Sequence, residues 1–235
     1  MNNTKPKIAL CISGEPRNTM QCFPYIYESI LRPYLGYQVD VYIHTFKPYR
    51  TIKSYSPLKY KIESEDEYVI YDWYAQSIGL DIVKYHDTPF RNTVLMYYGI
   101  QQVYELTKDK EYDYYIRYRP DLMLYNSFDL SCILNNLKLN NKDMWVPHSY
   151  YGENWREVLN DQIAICNPKS FKIYANIIDN LKKLITQTQS FYPEGILSAA
   201  INNHSLNVER GDMKMYLVRK SILKTHPIDN FLNLE

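Results

Sequence analysis

Apolar and polar positions follow two spacings along this chain, short apolar runs of strand type alternating with longer stretches of helical period. Lys7 to Ser13 (KIALCIS) is an apolar run that ends in Gly14, as a buried strand would. Asn18 to Leu31 has helical spacing, with Asn18 or Thr19 as N-cap and Pro24 within or near the first turn, where proline is tolerated. Gln38 to His44 (QVDVYIH) predicts a second strand, and residues 45–63, basic, aromatic and dotted with proline, show no period and predict a surface loop. Ser64-Glu65-Asp66-Glu67 opens a helix to about Ser77, its acids at the positive end of the dipole. Asp81 to His86 reads as a short strand, Arg91 to Thr107 as a long helix, and the Tyr- and Ile-rich residues 113–118 as a buried strand stopped by Pro120.

Beyond Asp121 the pattern loosens. Phe128 to Leu137 predicts a helix and Met144 to Pro147 a strand. Asp161 to Cys166 predicts another strand, followed after Asn167-Pro168 by a helix to about Leu184. Pro193 to Ile201 predicts a helix, and Ser205 to Glu209 and Lys214 to Arg219 predict strands. The β-α-β-α order implies an α/β fold with a mainly parallel central sheet flanked by helices and a more mixed second half. Without repeats, linkers or low-complexity tracts, residues 1–235 read as a single domain.

Composition changes the picture modestly. A formal net charge of +1 lacks the basic excess of a nucleic-acid-binding protein, so nucleic acid is not an expected partner. Tyrosine is abundant, 25 residues against 7 glycines; its apolar ring and polar tip suit half-buried positions and polar grooves, while AT-rich codon usage accounts for much of the excess. Cys11, Cys22, Cys132 and Cys166 form no CxxC pair and no zinc-ligand spacing, and Cys11 and Cys166 lie in strand-like runs where a reduced thiol packs as a small hydrophobe. The polar start, MNNTKPK, has no signal-peptide apolar stretch, and no run approaches the ~20 apolar residues of a transmembrane helix. The expectation is a soluble, cytoplasmic protein.

Candidate chemistry gathers at the ends of predicted strands. In YDYYIRYRPDL the strand delivers Asp121 at its carboxyl end between the cations Arg117 and Arg119. Ligands bind at that edge of an open α/β sheet, where an acid can hold a hard cation and arginines can fork onto phosphate oxygens; a solvated salt bridge is the plainer reading. Ser13-Gly14-Glu15-Pro16-Arg17 follows the first strand, where α/β folds cradle anions: Gly14 permits close backbone approach and Arg17 reaches a phosphate or base. The loop is neither GxGxxG nor a Walker motif, and a plain turn fits as well. Asp40, Tyr42 and His44 share one strand face, His44 as ligand or structural hydrogen-bonder. Asp161-Gln162 suits hydroxyl recognition or a turn, Glu194 a site or a helix dipole, and His226 a third metal ligand or a surface position.

The order of six segments is more specific than any one of them. KIALCISGEPRN, VDVYIHTF, YYGIQQVYEL, YDYYIRYRPDL, NDQIAICNP and YPEGILSAAI, spanning about residues 7–201, resemble a family of small glycosyltransferases found in large DNA viruses and bacterial surface-polysaccharide clusters and similar to GT-A transferases. The resemblance implies a GT-A, Rossmann-like domain that transfers a sugar from a UDP- or GDP-linked donor to a hydroxyl of a glycan or glycoprotein acceptor, in a host cytoplasm if the source is viral. Ser13, Gly14, Arg17, His44, Arg117 and Arg119 would then attend the nucleotide, and Asp121 would match the metal-binding acid of the DxD motif, with His226 as a further ligand for Mn²⁺ or Mg²⁺. Here the first acid is replaced, giving Arg119-Pro120-Asp121; two arginines can neutralise a diphosphate without a metal, but a divalent cation remains the expectation, since Asp121 would otherwise add repulsion beside the diphosphate. Asp161 is the first choice for the base that deprotonates the acceptor, Glu194 the second. Two alternatives stand beside this: a non-catalytic nucleotide- or carbohydrate-binding protein on a decayed transferase fold, and a sulfo- or nucleotidyltransferase.

Overall fold

A computed structural model describes residues 5–17, 19–32, 36–47, 50–63, 67–77, 79, 88–125, 128–148 and 158–218. In chain order these residues form β1 (Lys7–Ser13), α1 (Thr19–Ile26), β2 (Gln38–Thr45), β3 (Lys59–Ile62), α2 (Glu67–Ser77), α3 (Thr88–Glu105), β4 (Tyr114–Tyr118), β5 (Leu122–Tyr125) and α4 (Leu130–Leu139). They continue with β6 (Met144–Pro147), β7 (Ile163–Cys166), α5 (Pro168–Ala175), α6 (Leu181–Thr188), α7 (Pro193–Asn203), β8 (Val208–Gly211) and β9 (Lys214–Leu217). Asn18, the expected strand over 81–86 and His226 lie outside the described residues.

Among the described residues, seven strands form one sheet in the order β3-β2-β1-β4-β7-β6-β8, and β5 pairs with β9 in a separate ribbon. All sheet neighbours are parallel except those of β7, which runs antiparallel to β4 and β6. The expected mainly parallel α/β sheet is present, with the strands at 7–13, 38–44 and 113–118 side by side at its centre. Period two sorts the side chains into two cores. Ala9, Cys11, Tyr42 and Tyr115 face α2, α3, α5, α6 and α7, whereas Ile8, Leu10, Ile12, Ile43 and Ile116 face α1, the 3₁₀ turn at Arg50–Tyr55 and α4.

The structure departs from the sequence expectation in several elements. Residues 59–62 (KYKI), expected as loop, form edge strand β3; a short strand with two lysines has the charged character that edges tolerate. The helix expected through Leu184 breaks at Asn176, passes through a 3₁₀ turn at Ile178–Asn180 and restarts as α6. Pro24 falls inside α1 rather than in its first turn, and the following residues widen into a π-helical turn at Tyr27–Leu31. Residues 122–125, given no element in the sequence reading, form β5, because a partner strand arrives from far along the chain.

Candidate active site

The carboxyl ends of β1 and β4 open onto a cleft of about 330 Å³ lined by Ser13, Gly14, Arg17, Arg117, Arg119, Asp161 and Glu194, among others. One wall starts at β1. Gly14 has φ +131°, a conformation side chains rarely adopt, and a Cβ there would meet Pro120 Cδ at 3.3 Å. The turn after β1 therefore packs directly on the turn after β4, which draws the two loops to one sheet edge. Arg17 is held by Glu15, its Nε and Nη2 each donating to Oε2 at 2.9 Å.

The floor belongs to β4. Arg117 is fully buried, registered between the small residues Cys11 on β1 and Ala164 on β7, and its Nη1 donates to the Ser13 carbonyl at 3.2 Å. Its Nε and the Ser13 Oγ are buried without a hydrogen-bond partner. A guanidinium on a central strand is costly to desolvate; here burial pulls its pKa down while Tyr174 and Asp161 push it back up. Arg119 follows at the strand tip, its N–H donating to the Gln162 carbonyl at 3.1 Å.

Two further acids line the cleft, Asp161 just ahead of β7 and Glu194 on α7. Asp161 is buried, with its carbonyl accepting from the Tyr174 hydroxyl at 3.1 Å. Burial raises its pKa, against the opposing pull of Arg119 and Arg117. Glu194, in the first turn of α7, is raised to about 7, chiefly by burial and then by the charge of Asp161. Helix α3 fixes the entry to α7: Thr93 Oγ1 donates to the Phe191 carbonyl and Tyr97 Oη to the Pro193 carbonyl, each at 2.8 Å. Ser198 then ties α7 to the segment before Asp161, donating to the Glu194 carbonyl at 2.7 Å and accepting from the Leu159 N–H at 2.8 Å.

Asp121 stands behind this cleft rather than in its lining. Its side chain is 1% exposed, and both oxygens are engaged: Oδ1 by Arg119 Nε at 2.5 Å, Oδ2 by Arg119 Nη2 at 3.3 Å and Arg17 Nη1 at 3.4 Å. As arranged, this carboxylate does not fit a divalent cation, which would have to displace both guanidinium groups. Among the described residues no group of three or more His, Cys, Asp or Glu side chains could hold a metal ion.

His44 also turns elsewhere. It is buried, its Nε2 lies 3.2 Å from Glu63 Oε1, and its Nδ1 sits against Gly99 of α3. The shared polar face of β2 is satisfied locally, since Asp40 accepts from Tyr112 Oη at 2.8 Å and Lys110 Nζ at 3.0 Å and Tyr42 bonds Tyr112. Phe46, Asn92, Met96, Phe191, Tyr192 and Leu217 also line the cleft and are not among the site residues expected from the sequence. Phe191 and Tyr192 directly precede Pro193-Glu194 and could have been read with it; Leu217 arrives on β9 and carries no local signal.

No family model and no curated protein match this chain. Solved structures do. A glycosyltransferase involved in the glycosylation of the major capsid of PBCV-1 superposes with TM-score 0.50 at 10% identity, covering 88% of this chain and 83% of that one. Mouse Xyloside xylosyltransferase 1 in its apo form gives TM-score 0.50 at 8% identity, with coverage of 92% and 98%. Core-mannan synthase A from Aspergillus fumigatus, in a Mn/GDP form, gives 0.51 at 11% identity, with coverage of 91% and 74%. At these identities the likeness is one of fold, and the fold is the GT-A fold of nucleotide-diphospho-sugar transferases.

Proposed function

We propose that the chain is a glycosyltransferase that moves a sugar from a UDP- or GDP-linked donor to a hydroxyl of a glycan or glycoprotein acceptor. The observation that carries this reading is the gathering of opposite charge in one cleft: the guanidinium groups of Arg17, Arg117 and Arg119 and the acids Asp161 and Glu194 all line it. Departure of a nucleoside diphosphate needs stabilised negative charge, and attack by a hydroxyl needs a proton acceptor. The cleft supplies both. The GDP of the Aspergillus fumigatus neighbour supports a nucleoside diphosphate as the donor's leaving group.

In this reading Ser13 and Gly14 let the nucleotide approach the backbone, Arg17 and Arg119 take its phosphates, and Arg117 completes the floor. Asp161 and Glu194, coupled through their charges, take the acceptor proton as a pair. His44 holds the β2–β3 end through Glu63. The Mn²⁺ or Mg²⁺ expected from the sequence on Asp121 and His226 receives no step, because Asp121 is already paired. Free thiols at Cys11, Cys22, Cys132 and Cys166 support a reducing compartment, the cytoplasm, and no helix among the described residues is long and apolar enough to cross a membrane.

The test is a thermal-shift and calorimetric screen of UDP, GDP and their sugar conjugates, followed by measurement of diphosphate release with and without acceptor sugars. A ligand present at about 100 times its Kd stabilises by about 2.7 kcal/mol, a shift easily seen in melting. Binding with slow acceptor-free hydrolysis is expected. Binding without any turnover would favour the non-catalytic reading, and the absence of any nucleotide response would remove the donor assignment.

A further inference from the structure

Asp121 lies behind the cleft with both oxygens already engaged by arginines, and that geometry gives it a task other than holding a ligand. We propose that Asp121 is a positioning residue that locks Arg17 and Arg119 into a receptor for the donor's diphosphate that works without a divalent metal; this rests on the glycosyltransferase reading above.

The backbone at the tip is fixed from three sides. The Arg119 N–H bonds the Gln162 carbonyl at 3.1 Å, the Leu122 N–H closes a turn onto the Arg119 carbonyl at 3.1 Å, and the Asp121 carbonyl accepts from the Val218 N–H at 2.9 Å. From that anchor the carboxylate meets Arg119 side-on, through Nε and Nη2, which leaves Nη1 and the second Nη2 proton for a ligand. The burial is ordered front to back: Arg119 is 23% exposed and lines the cleft, while Asp121 is 1% exposed behind it.

The second oxygen reaches across to the other loop. Arg17, clamped by Glu15 through Nε and Nη2, points Nη1 at Asp121 Oδ2, so one carboxylate oxygen is shared by guanidinium groups from the β1 and β4 loops. Without that charge two cations at the same sheet edge would repel each other and splay apart. With it they are held as a pair of planar forks, the geometry that suits adjacent phosphate groups. Arg117, buried beneath with its Nε unpartnered, adds a third cation to the lining of the same cleft. A divalent ion offered to Asp121 would have to break a buried charge pair, leaving uncompensated guanidinium groups. The residue pattern Arg-Pro-Asp thus replaces a metal's charge with two arginines and keeps the acid as their anchor.

Calorimetric titration of UDP and GDP into the wild-type protein, in EDTA and again in MnCl₂, tests this directly, alongside titration of MnCl₂ alone. The expected result is the same nucleoside-diphosphate affinity in both buffers and no saturable Mn²⁺ binding. Affinity that falls about tenfold or more in EDTA would overturn the proposal while leaving the transferase reading intact. If neither nucleotide binds in either buffer, both readings fall. Asp121→Asn should weaken UDP or GDP by about tenfold or more in both buffers, with uridine or guanosine affinity unchanged. Adding Asp121→Asn to a variant that carries both Arg17→Ala and Arg119→Ala should cost nothing further, since Asp121 acts through those two arginines. A loss seen only with Mn²⁺ would make Asp121 a metal ligand; a parallel loss of nucleoside affinity would make it merely structural. Either overturns the proposal, and should Asp121→Asn fail to fold, the wild-type titrations decide it.

Discussion

At the scale of single residues, the cleft concentrates its chemistry in one coupled pair. Burial and the neighbouring charge of Asp161 both disfavour ionised Glu194 and raise its pKa to about 7. A base must be ionised to act, so the transfer rate should climb as pH rises through about 7. Glu194→Gln should abolish that limb of the pH–rate profile. Asp161→Asn removes the like charge but not the burial, so any limb that survives should shift to lower pH. A folded pKa above the ordinary 4.5 also means that the folded state binds the proton more tightly than the unfolded chain. Stability is therefore lost as pH rises from about 4.5 to 7, and melting curves should show Glu194→Gln more heat-resistant than wild type above pH 7 and level with it in acid. The individual acids were legible in the sequence because strand ends and helix starts deliver side chains to the edge of a sheet. The engagement of Asp121 was not, since Arg17 lies 104 positions away and only the fold brings it within 3.4 Å.

Elements decide how well that pair is aimed. Segment 159–161 and helix α7 are separate pieces of chain joined by one hydroxyl, that of Ser198. Ser198→Ala would leave the buried Leu159 N–H unpaired at a cost of about 1–3 kcal/mol, measurable by chemical denaturation. It should also reduce kcat while the donor KM stays near wild type, because the nucleotide wall is untouched. Elements with their own signature were readable one by one: β1 is an apolar run, β2 an alternating one, β4 rich in tyrosine and isoleucine, and α7 announces itself with proline at its start. Those whose signature depends on a neighbour were not. β3 is half lysine and becomes a strand through parallel pairing with β2, and the break between α5 and α6 follows no proline or glycine.

For the molecule as a whole, parallel pairing of β2, β1 and β4 sends all three carboxyl ends to one edge, so the location of the cleft followed from the alternation of strands and helices alone. The far wall did not. It depends on β7 running antiparallel beside β4 and on the β5–β9 ribbon, a pairing of residues 122–125 with 214–217 that no local pattern announces. The ribbon is structural as well as local to the cleft: Leu122, Leu124, Met213 and Met215 are buried in the core beneath it, and Leu217 reaches the lining. A chain truncated after Gly211 should melt at lower temperature than the full chain and lose nucleoside-diphosphate affinity, as read by calorimetry at a temperature where its far-ultraviolet circular dichroism is still that of a folded protein.

The same ribbon bears on how the protein comes into being. Synthesis proceeds from the amino terminus, so β1, β2 and β4 leave the ribosome while the residues that pin the Asp121 carbonyl and wall the cleft are still untranslated. A nascent chain can assemble its sheet centre early yet lacks part of the cleft lining until β9 emerges. Completion of the cleft is in this sense timed by translation.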